Sequence, residues 1–239
     1  MIRIWLSLII LLISGCAIAQ TTFHGWLSSF NMFKINGKFS LHLDVQARSG
    51  RQLNHLNTFI FRPGFNWHFR KNMIATVGYG YVHNRRTLGN VSGYAPEHRI
   101  WEQLIINHNL AFVPVQHRFR LEQRFIGNYR LVNNVFSNNG NRFANRLRYF
   151  NRSIIPFNGS KPFTHGMFGV LQNEIFLNLG NKSGVNGKFF DQNRLYLAMG
   201  YRFSSKFDVD AGYLNQYISG VNKTISNGHI LQVATYLRL

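Results

Sequence analysis

The chain contains a single cysteine, and it has no long apolar run after its first 20 residues. A transmembrane helix needs about 20 consecutive apolar residues, so the sequence excludes a helical span beyond that point. No amphipathic helical period of convincing length is present either. The remaining way for such a chain to cross a bilayer is a closed β-barrel.

Residues 1–19 predict a cleaved secretory signal peptide. An early cation precedes the apolar run Ile4–Ile13, and the small-residue sequence Ala17–Ala19 lies at the expected cleavage site. Cleavage there leaves 20–239 as one mature domain and removes Cys16, which excludes disulfides, catalytic thiols and cysteine-bound metals. An alternative is a lipoprotein signal, in which Cys16 becomes the lipidated first residue.

Acidic residues are scarce. Eight Asp and Glu face 27 Lys and Arg, and the formal net charge is +19. Removing residues 1–19 takes away one arginine and no acid, so 26 cations minus 8 acids leave +18. A chain this basic usually binds nucleic acid or an anionic surface. In an exported chain the charge instead lines a lumen or faces a phosphate-rich leaflet, so we expect no nucleic-acid partner.

Alternation of apolar and polar residues dominates the mature chain. In the segment Phe39–Arg48 every second residue is apolar, and the residues between are polar or charged. This two-residue period is typical of a strand with one oily and one wet face. Similar segments recur down the chain, and short connections alternate with long ones. The sequence therefore predicts an all-β fold, a transmembrane antiparallel up-and-down β-barrel of 10–12 strands with short periplasmic turns and longer external loops.

Aromatic residues lie where the strands meet their connections. Trp67, Phe69, Phe112, Tyr201, Phe203 and Phe207 abut short connections, whereas Phe59, Tyr81, Phe125 and Phe143 adjoin long ones. Two such girdles are typical of the two interfaces of a bilayer, so the location predicted is the cell outer membrane.

The pattern yields eleven segments, although an even number is usual in bacterial barrels. Either residues 22–35 form an extra N-terminal segment on a ten-stranded barrel, or the barrel has twelve strands and the pattern of one of them is not recognised. We expect a bulge or an edge at Pro63-Gly64. We also expect a bulge in 97–112, because one phase mixes apolar residues with Glu102. The predicted external loops include Arg85–Pro96, Gly127–Asn141 and Gly180–Gly187.

Charged residues recur in the polar phase of the predicted strands, which would line the lumen. The candidate ion-pair or anion-binding residues are Arg118, Arg120, Glu122, Arg124, Arg146, Arg148, Glu174 and Arg194. Charges inside a membrane are costly unless they are paired or hydrated, so the sequence favours an interlocking ion-pair plug. The alternative is that excess arginine forms an anion-selective pathway, or a site for phosphate or carboxylate groups.

Ser40, His42 and Asp44 alternate along one face of the same segment and are the only candidates for catalysis. Residues two apart in a strand start nearly 7 Å apart at Cα, beyond hydrogen-bond reach, which argues against a nucleophile and base. The ten histidines form no His-Glu-x-x-His motif and no close pair on one strand face. We therefore expect no metal and no cofactor, and an enzyme is the less favoured interpretation.

Several short motifs resemble an uncharacterised outer-membrane β-barrel family of Gram-negative bacteria, known as a domain of unknown function. They are Glu97–Gln103, Arg118–Phe125, Asn145–Tyr149, Asn173-Glu174, Phe190–Arg194 and Gly212–Gln216. The resemblance covers nearly the whole mature chain. It implies the barrel fold, and it brings no assigned activity.

The function expected is that of an integral outer-membrane barrel with a narrow arginine-rich lumen, acting in envelope structure or small-anion passage. The alternatives are an outer-membrane enzyme acting on lipid or lipopolysaccharide, and a surface adhesin or receptor that uses its Asn/Gly-rich loops. The partners expected are outer-membrane lipid, lipopolysaccharide and the barrel-assembly machinery. The oligomeric state is left open.

Overall fold

A computed structural model describes residues 20–159 and 162–239, and the predicted signal peptide and Cys16 lie outside these ranges. The described chain forms eleven β-strands. They are β1 (Gln20–Lys34), β2 (Phe39–Ser49), β3 (Leu56–Arg70), β4 (Met73–Leu88), β5 (Val91–Leu110), β6 (Val113–Val132), β7 (Val135–Pro156), β8 (Gly166–Leu179), β9 (Phe190–Ser204), β10 (Phe207–Ser219) and β11 (Ile225–Arg238). Two short 3₁₀ turns, Arg51–Leu53 and Val221–Lys223, interrupt the connections.

The strands close into one barrel in sequence order, with β1 between β2 and β11. Each neighbouring pair from β1 to β11 is antiparallel, whereas β1 and β11 are parallel. Trp26, for example, lies opposite Arg48 on β2 and Gln232 on β11. An odd number of alternating strands closes only through one parallel pair. The N-terminal segment is therefore an integral eleventh strand, and neither an added segment nor a missing twelfth strand is needed.

The two ends of the barrel differ. At one end, the short-turn end, the connections 35–38, 71–72, 111–112 and 205–206 are tight, and 157–165 is the longer exception. The loop end carries 50–55, 180–189 and 220–224, together with two extended hairpins. Because β1 and β11 run in the same direction, Gln20 lies at the loop end and Leu239 lies at the short-turn end.

Two predicted loops are wrong. Arg85–Pro96 and Gly127–Asn141 belong to hairpins that extend β4 to β7 and end in two-residue turns. Asn133 and Asn134 both adopt positive φ, at 52° and 60°. Asparagine tolerates this conformation in tight hairpin turns, so the Asn-rich composition marks a turn at the tip of a long hairpin rather than an irregular loop. A register shift between Gly127 and Tyr129 accommodates the extension.

The outer wall is apolar. Large hydrophobic side chains are exposed on every strand, and they include Leu27, Leu41, Phe65, Trp67, Val77, Phe119, Leu171, Leu197, Phe203 and Leu231. A band of this kind on a closed barrel is the surface that lipid covers, and the aromatic residues near both ends fit the two interfaces. The fold is thus the transmembrane up-and-down barrel that the sequence predicts.

The bulge expected in 97–112 is wrong, because β5 keeps a continuous register with both neighbours. Its phase containing Ile100 and Leu104 faces outward and carries Glu102 with it. The amide of Gln123 donates to the Glu102 carboxylate at 3.1 Å on this outer wall. Against β2 the register runs straight through Pro63, whereas the ladder with β4 stops after Phe61 and resumes in the same register at Gly64, so the pairing is interrupted there and no bulge forms.

None of the described residues form a helix that is long and apolar enough to span a membrane.

The interior of the barrel holds an apolar cluster on the side formed by β8 to β11 and β1. Its buried members are Trp26, Phe163, Phe168, Val170, Tyr196, Leu214 and Ile230. The opposite side of the interior carries most of the charge.

Candidate functional site: the arginine-lined lumen

The lumen is lined by the polar phase of the strands, as alternation requires. On β6, for example, Arg118, Arg120, Glu122 and Arg124 point inward at successive alternate positions, and Arg146 and Arg148 do so on the neighbouring β7. In the ladder, Glu122 lies directly opposite Arg146. Strand pairing therefore brings acid and base together across adjacent strands.

Glu122 is the centre of the ion-pair network and is completely buried. Its carboxylate oxygens lie 2.5 Å from Arg148 Nη1 and 2.7 Å from Arg146 Nη2. Arg99 at 3.8 Å and Arg62 at 4.0 Å complete its cationic surroundings. One acid thus joins arginines from β3, β5 and β7.

Glu174 on β8 is a second centre. It accepts from Arg148 at 2.6 Å and from Arg118 at 2.8 Å, and Arg194 lies 3.7 Å away. Arg148 therefore bridges Glu122 and Glu174 and connects the two centres. Charge-assisted hydrogen bonds of this kind fix guanidinium orientation because both groups are planar.

The remaining lumen acids also bind arginines, and some of these arginines contact Glu122 as well. Glu97 binds Arg99 and Arg124, Asp44 binds Arg62, Asp191 binds Arg146, Asp210 binds Arg152, and Asp208 binds Arg202 and Arg238. Seven of the eight acids of the chain thus face the lumen, while Glu102 lies outside.

Three lumen arginines are held mainly by neutral groups. Arg48 donates through Nε and Nη2 to the Gln46 amide oxygen, the shorter contact being 2.6 Å. Arg120 donates to the Gln103 amide oxygen at 2.7 Å. Neither forms an ion pair with any residue that the structure describes.

Arg194 is the third of these arginines. With the Gln216 amide oriented so that its oxygen faces the guanidinium, that oxygen accepts from Arg194 Nη2 at 3.1 Å and Nε at 3.3 Å. Its nearest carboxylate, Glu174, is 3.7 Å away and already binds two other arginines. A glutamine oxygen satisfies hydrogen bonds without carrying charge, so the charge of Arg194 is balanced only in part, by a carboxylate that it shares with two other arginines.

Aromatic rings support the same three guanidinium groups. Arg48 lies 3.9 Å from the Trp26 ring centroid, and Arg194 lies 4.9 Å from the same ring. Arg120 lies 4.4 Å from the centroid of Trp101. Cation–π contact holds an arginine without neutralising it.

Trp101 can take this position because two glycines face it. A Cβ atom on Gly78 would come within 2.3 Å of the Trp101 ring, and one on Gly64 within 2.8 Å. Any larger residue at either position would displace the indole from beneath Arg120. Gly64 on β3 and Gly78 on β4 thus leave the space that Trp101 occupies beneath Arg120.

The lumen carries a net positive charge among the described residues. Twelve arginines face it or its short-turn mouth: Arg48, Arg62, Arg99, Arg118, Arg120, Arg124, Arg146, Arg148, Arg152, Arg194, Arg202 and Arg238. Twelve cations minus seven acids leave +5. Such a lumen attracts anions, because the charge lies in a narrow space of low dielectric constant.

Three cavities follow one another through the lumen. A middle cavity of about 190 Å³ extends from Trp26 to Tyr236. An upper cavity of about 90 Å³ lies towards the loop end. A mouth cavity of about 370 Å³ opens at the short-turn end, and it shares Arg152 and Tyr236 with the middle cavity.

The middle and upper cavities meet at four arginines, Arg48, Arg62, Arg148 and Arg194, which line both of them. We call this group the arginine junction. Arg62 and Arg148 bind carboxylates, whereas Arg48 and Arg194 are the neutrally held members. The junction thus places Arg48, which has no carboxylate within 4.0 Å among the described residues, together with Arg194, whose nearest carboxylate is 3.7 Å away.

The structure brings seven of the eight predicted lumen residues into ion pairs. Arg120 is the exception, since it binds Gln103 instead. Glu97, Arg99 and Gln103 were not predicted to face the lumen, because the phase of β5 that faces inward was left undecided. Continuation of the alternation from Ile105 back to Glu97 is the signal that would have found them.

Ser40, His42 and Asp44 all lie on the inner wall but do not form a catalytic group. Ser40 Oγ lies 2.8 Å from His68 Nε2 rather than from His42. His42 packs its edge against Trp101, and its Nε2 has no described partner. Asp44 binds Arg62 and Gln46. The contacts that a nucleophile, base and orienting acid need are therefore absent within this trio.

No group of three or more histidine, cysteine or acidic side chains able to hold a metal ion occurs among residues 20–159 and 162–239. The lumen acids are engaged with arginines instead.

Comparison with known proteins identifies a family and similar solved structures. No curated protein matches the chain. A solved structure of the NanC porin in a rhombohedral crystal form aligns with a TM-score of 0.47 and 8% sequence identity, covering 90% of this chain and 98% of that one. Residues 23–227 match the family described as protein of unknown function (DUF2490). The match spans most of the chain, which therefore belongs to this family.

Proposed function

We propose that this protein is an integral outer-membrane barrel whose narrow, positively charged lumen passes small anions. The observation that carries the proposal is the arginine junction between two cavities, where Arg48 has no ion pair among the described residues and Arg194 has only a long one to Glu174. Passage needs a site that attracts the ion without holding it too tightly. Guanidinium groups already bound to amide oxygens offer such a site.

The ion-pair network supports this function by fixing the wall. Glu122 and Glu174 bind the arginines of β6 and β7 in two directions, so these side chains cannot collapse across the lumen. A purely structural plug would gain most from equal numbers of acids and bases, because each unpaired buried charge is costly. The surplus of five arginines favours a lumen that holds mobile anions.

Placement in the outer membrane rests on the barrel and its apolar wall, together with the predicted signal peptide. A closed barrel with an outward aromatic and aliphatic band is the bacterial outer-membrane arrangement. With the short turns in the periplasm, the extended β4–β5 and β6–β7 hairpins would project from the cell.

The second candidate is a closed barrel that acts in envelope structure. The complete burial of Glu122 among four arginines favours it, since a dense network of this kind stabilises the wall without transport. Ion conductance separates the two candidates.

The test is the reversal potential of the purified barrel in planar bilayers across a potassium chloride gradient. We expect the wild type to conduct with anion preference. Arg48→Gln combined with Arg194→Gln should reduce that preference, because it removes two positive charges from the junction. Arg51→Gln combined with Lys223→Gln, which removes two cations from exposed loops, is the control and should leave the preference unchanged. Absence of conductance, or cation preference in the wild type, would refute passage.

A further inference from the structure

The middle cavity has two chemically different walls. Towards the loop end it contacts Arg48 and Arg194, which stack on Trp26. Below them its lining is mixed: Arg118 and Arg152 lie over the rings of Phe150 and Tyr236, and the apolar side chains there include Phe30, Ile105, Phe150, Leu214 and Leu237. A simple hydrated ion would use only the first of these walls.

The cationic wall has donor capacity left. Nε and Nη2 of Arg48 bind Gln46, and its Nη1 forms no hydrogen bond with a described residue. Arg194 turns Nη1 towards Glu174 at 3.7 Å, which is too long for a strong hydrogen bond. Two guanidinium groups that stack on one indole and keep free donors are suited to a planar anion such as a carboxylate.

Glu174 limits the charge of the ligand. Its carboxylate lines the same cavity and is bound by Arg118 and Arg148. A second negative charge on a ligand would lie near this carboxylate and be repelled. Seven arginines line the cavity with this one carboxylate, so Glu174 disfavours negative charge only next to itself, and the part of the ligand that lies there should be uncharged.

The cavity volume sets the size of the ligand. It measures about 190 Å³. An apolar protein cavity of about 150 Å³ accommodates benzene, so this one has room for a single ring or a short aliphatic chain with one carboxylate.

We infer that the middle cavity binds a small amphipathic monocarboxylate, with its carboxylate at Arg48 and Arg194 and its apolar body against Phe150, Ile105 and Leu214. The inference rests on the proposed anion passage and names the class of anion. The ligand would enter through the mouth cavity, which adjoins the middle cavity at Arg152 and Tyr236.

The test is calorimetric titration of the full mature barrel in detergent with benzoate, acetate and benzyl alcohol. Benzoate has both the anion and the apolar body, acetate has essentially the anion alone, and benzyl alcohol has the ring without the charge. We expect benzoate to bind at least tenfold more tightly than either of the other two. This ligand series tests the inference on the unmutated protein, so it does not depend on whether any variant folds.

Two variants place the binding site. Arg48→Gln should weaken benzoate binding at least tenfold, because it removes a charge that contacts the cavity. Arg120→Gln is the matched control, since it also removes a glutamine-held arginine that lies over a tryptophan. Arg120 lines none of the three cavities, so its loss should change benzoate affinity less than threefold.

Several results would overturn the inference. They are equal affinity for benzoate and acetate, equal affinity for benzoate and benzyl alcohol, and equal effects of the two variants. Bilayer conductance is measured separately. Anion-selective conductance without benzoate preference would refute the ligand class and leave passage intact, whereas benzoate binding without conductance would refute passage and leave a closed binding site.

Discussion

Replacing Glu122 by glutamine tests whether the ion-pair network stabilises the barrel. The side chain is completely buried and contacts Arg146 and Arg148 at hydrogen-bond distance. Glutamine has the same shape, so the substitution removes the charge and little else. We expect the barrel to lose stability, because buried arginines then face one another with less compensation.

The loss of folding free energy depends on which carboxylates each arginine still contacts after the substitution. Removing one partner of a buried ion pair costs about 3–5 kcal/mol. After the Glu122 substitution every neighbouring arginine retains another acid: Arg146 retains Asp191, Arg148 retains Glu174, Arg99 retains Glu97 and Arg62 retains Asp44. The cost should therefore lie at the lower end, about 3 kcal/mol.

Glu174→Gln should cost more, about 5 kcal/mol. It leaves Arg118 and Arg194 with no carboxylate within 4.0 Å among the described residues. Glu102→Gln is the matched control, because this acid lies on the outer wall and binds only Gln123. Removing its charge there should leave stability unchanged or increase it.

The assay is urea unfolding of the barrel in detergent micelles, followed by tryptophan fluorescence. Urea dependences of about 1–3 kcal/mol per molar predict that the Glu122 variant unfolds at a midpoint lower by about 1 M or more. The expected order of stability is Glu102→Gln, then Glu122→Gln, then Glu174→Gln. Wild-type stability in both lumen variants would refute the argument, as would destabilisation confined to the Glu102 variant.

Three further predictions concern the faces, the orientation and the N terminus. Leu43→Arg should lower the free energy of unfolding by about 2–4 kcal/mol because it places a charge in lipid, whereas His42→Ala on the inner wall should lower it little. Equal unfolding midpoints would contradict the assignment of Leu43 to the outer wall and His42 to the inner wall. Asn222→Cys should react with a membrane-impermeant maleimide on whole cells and Lys71→Cys should not; the opposite labelling would mean inverted insertion. Mass spectrometry should find Gln20 first, and a lipid-modified cysteine would contradict cleavage after residue 19.

The barrel could be predicted because its outer wall obeys one rule. Lipid favours apolar residues at outward positions, so the alternation survives through most of the spanning part of each strand, although Glu102 and Gln123 break it on the outer wall. Beyond the membrane that requirement ends. The extended hairpins of β4 to β7 have water around both faces, and their Arg- and Asn-rich ends therefore resemble loops. Periodicity alone does not distinguish a wet strand from a loop.

The lumen was harder to predict because its residues obey no single rule. Ion pairs could be expected from acids and bases on adjacent strands, but the pairing of Arg118 with Glu174 crosses from β6 to β8 and depends on barrel curvature. On β1 the inner phase carries the aromatic residues Trp26 and Phe30 with Ser28 between them, and the outer phase carries Leu27. A strand that is apolar on both faces gives no sign of which face is the lumen.

The position of β1 also explains why Arg48 and Arg194 lie together. The described inner-phase residues of β1 and β11 carry no acid, their cations Lys34 and Arg238 lie at the short-turn end, and they include Trp26 and Ile230. The parallel pair that closes the odd barrel thus forms a neutral wall.

Arg48 and Arg194 reach this neutral wall from opposite sides. Arg48 comes from β2, next to β1, and Arg194 comes from β9, two strands beyond β11. On the wall they find the Trp26 ring and no acid. The anion site that we infer therefore lies against the wall where the barrel closes. An acid placed on this wall at Ser28, which is buried and whose hydroxyl has no described partner, should reduce anion preference. Reversal potentials of Ser28→Asp would test this, and unchanged preference would show that the charge balance is set elsewhere in the lumen.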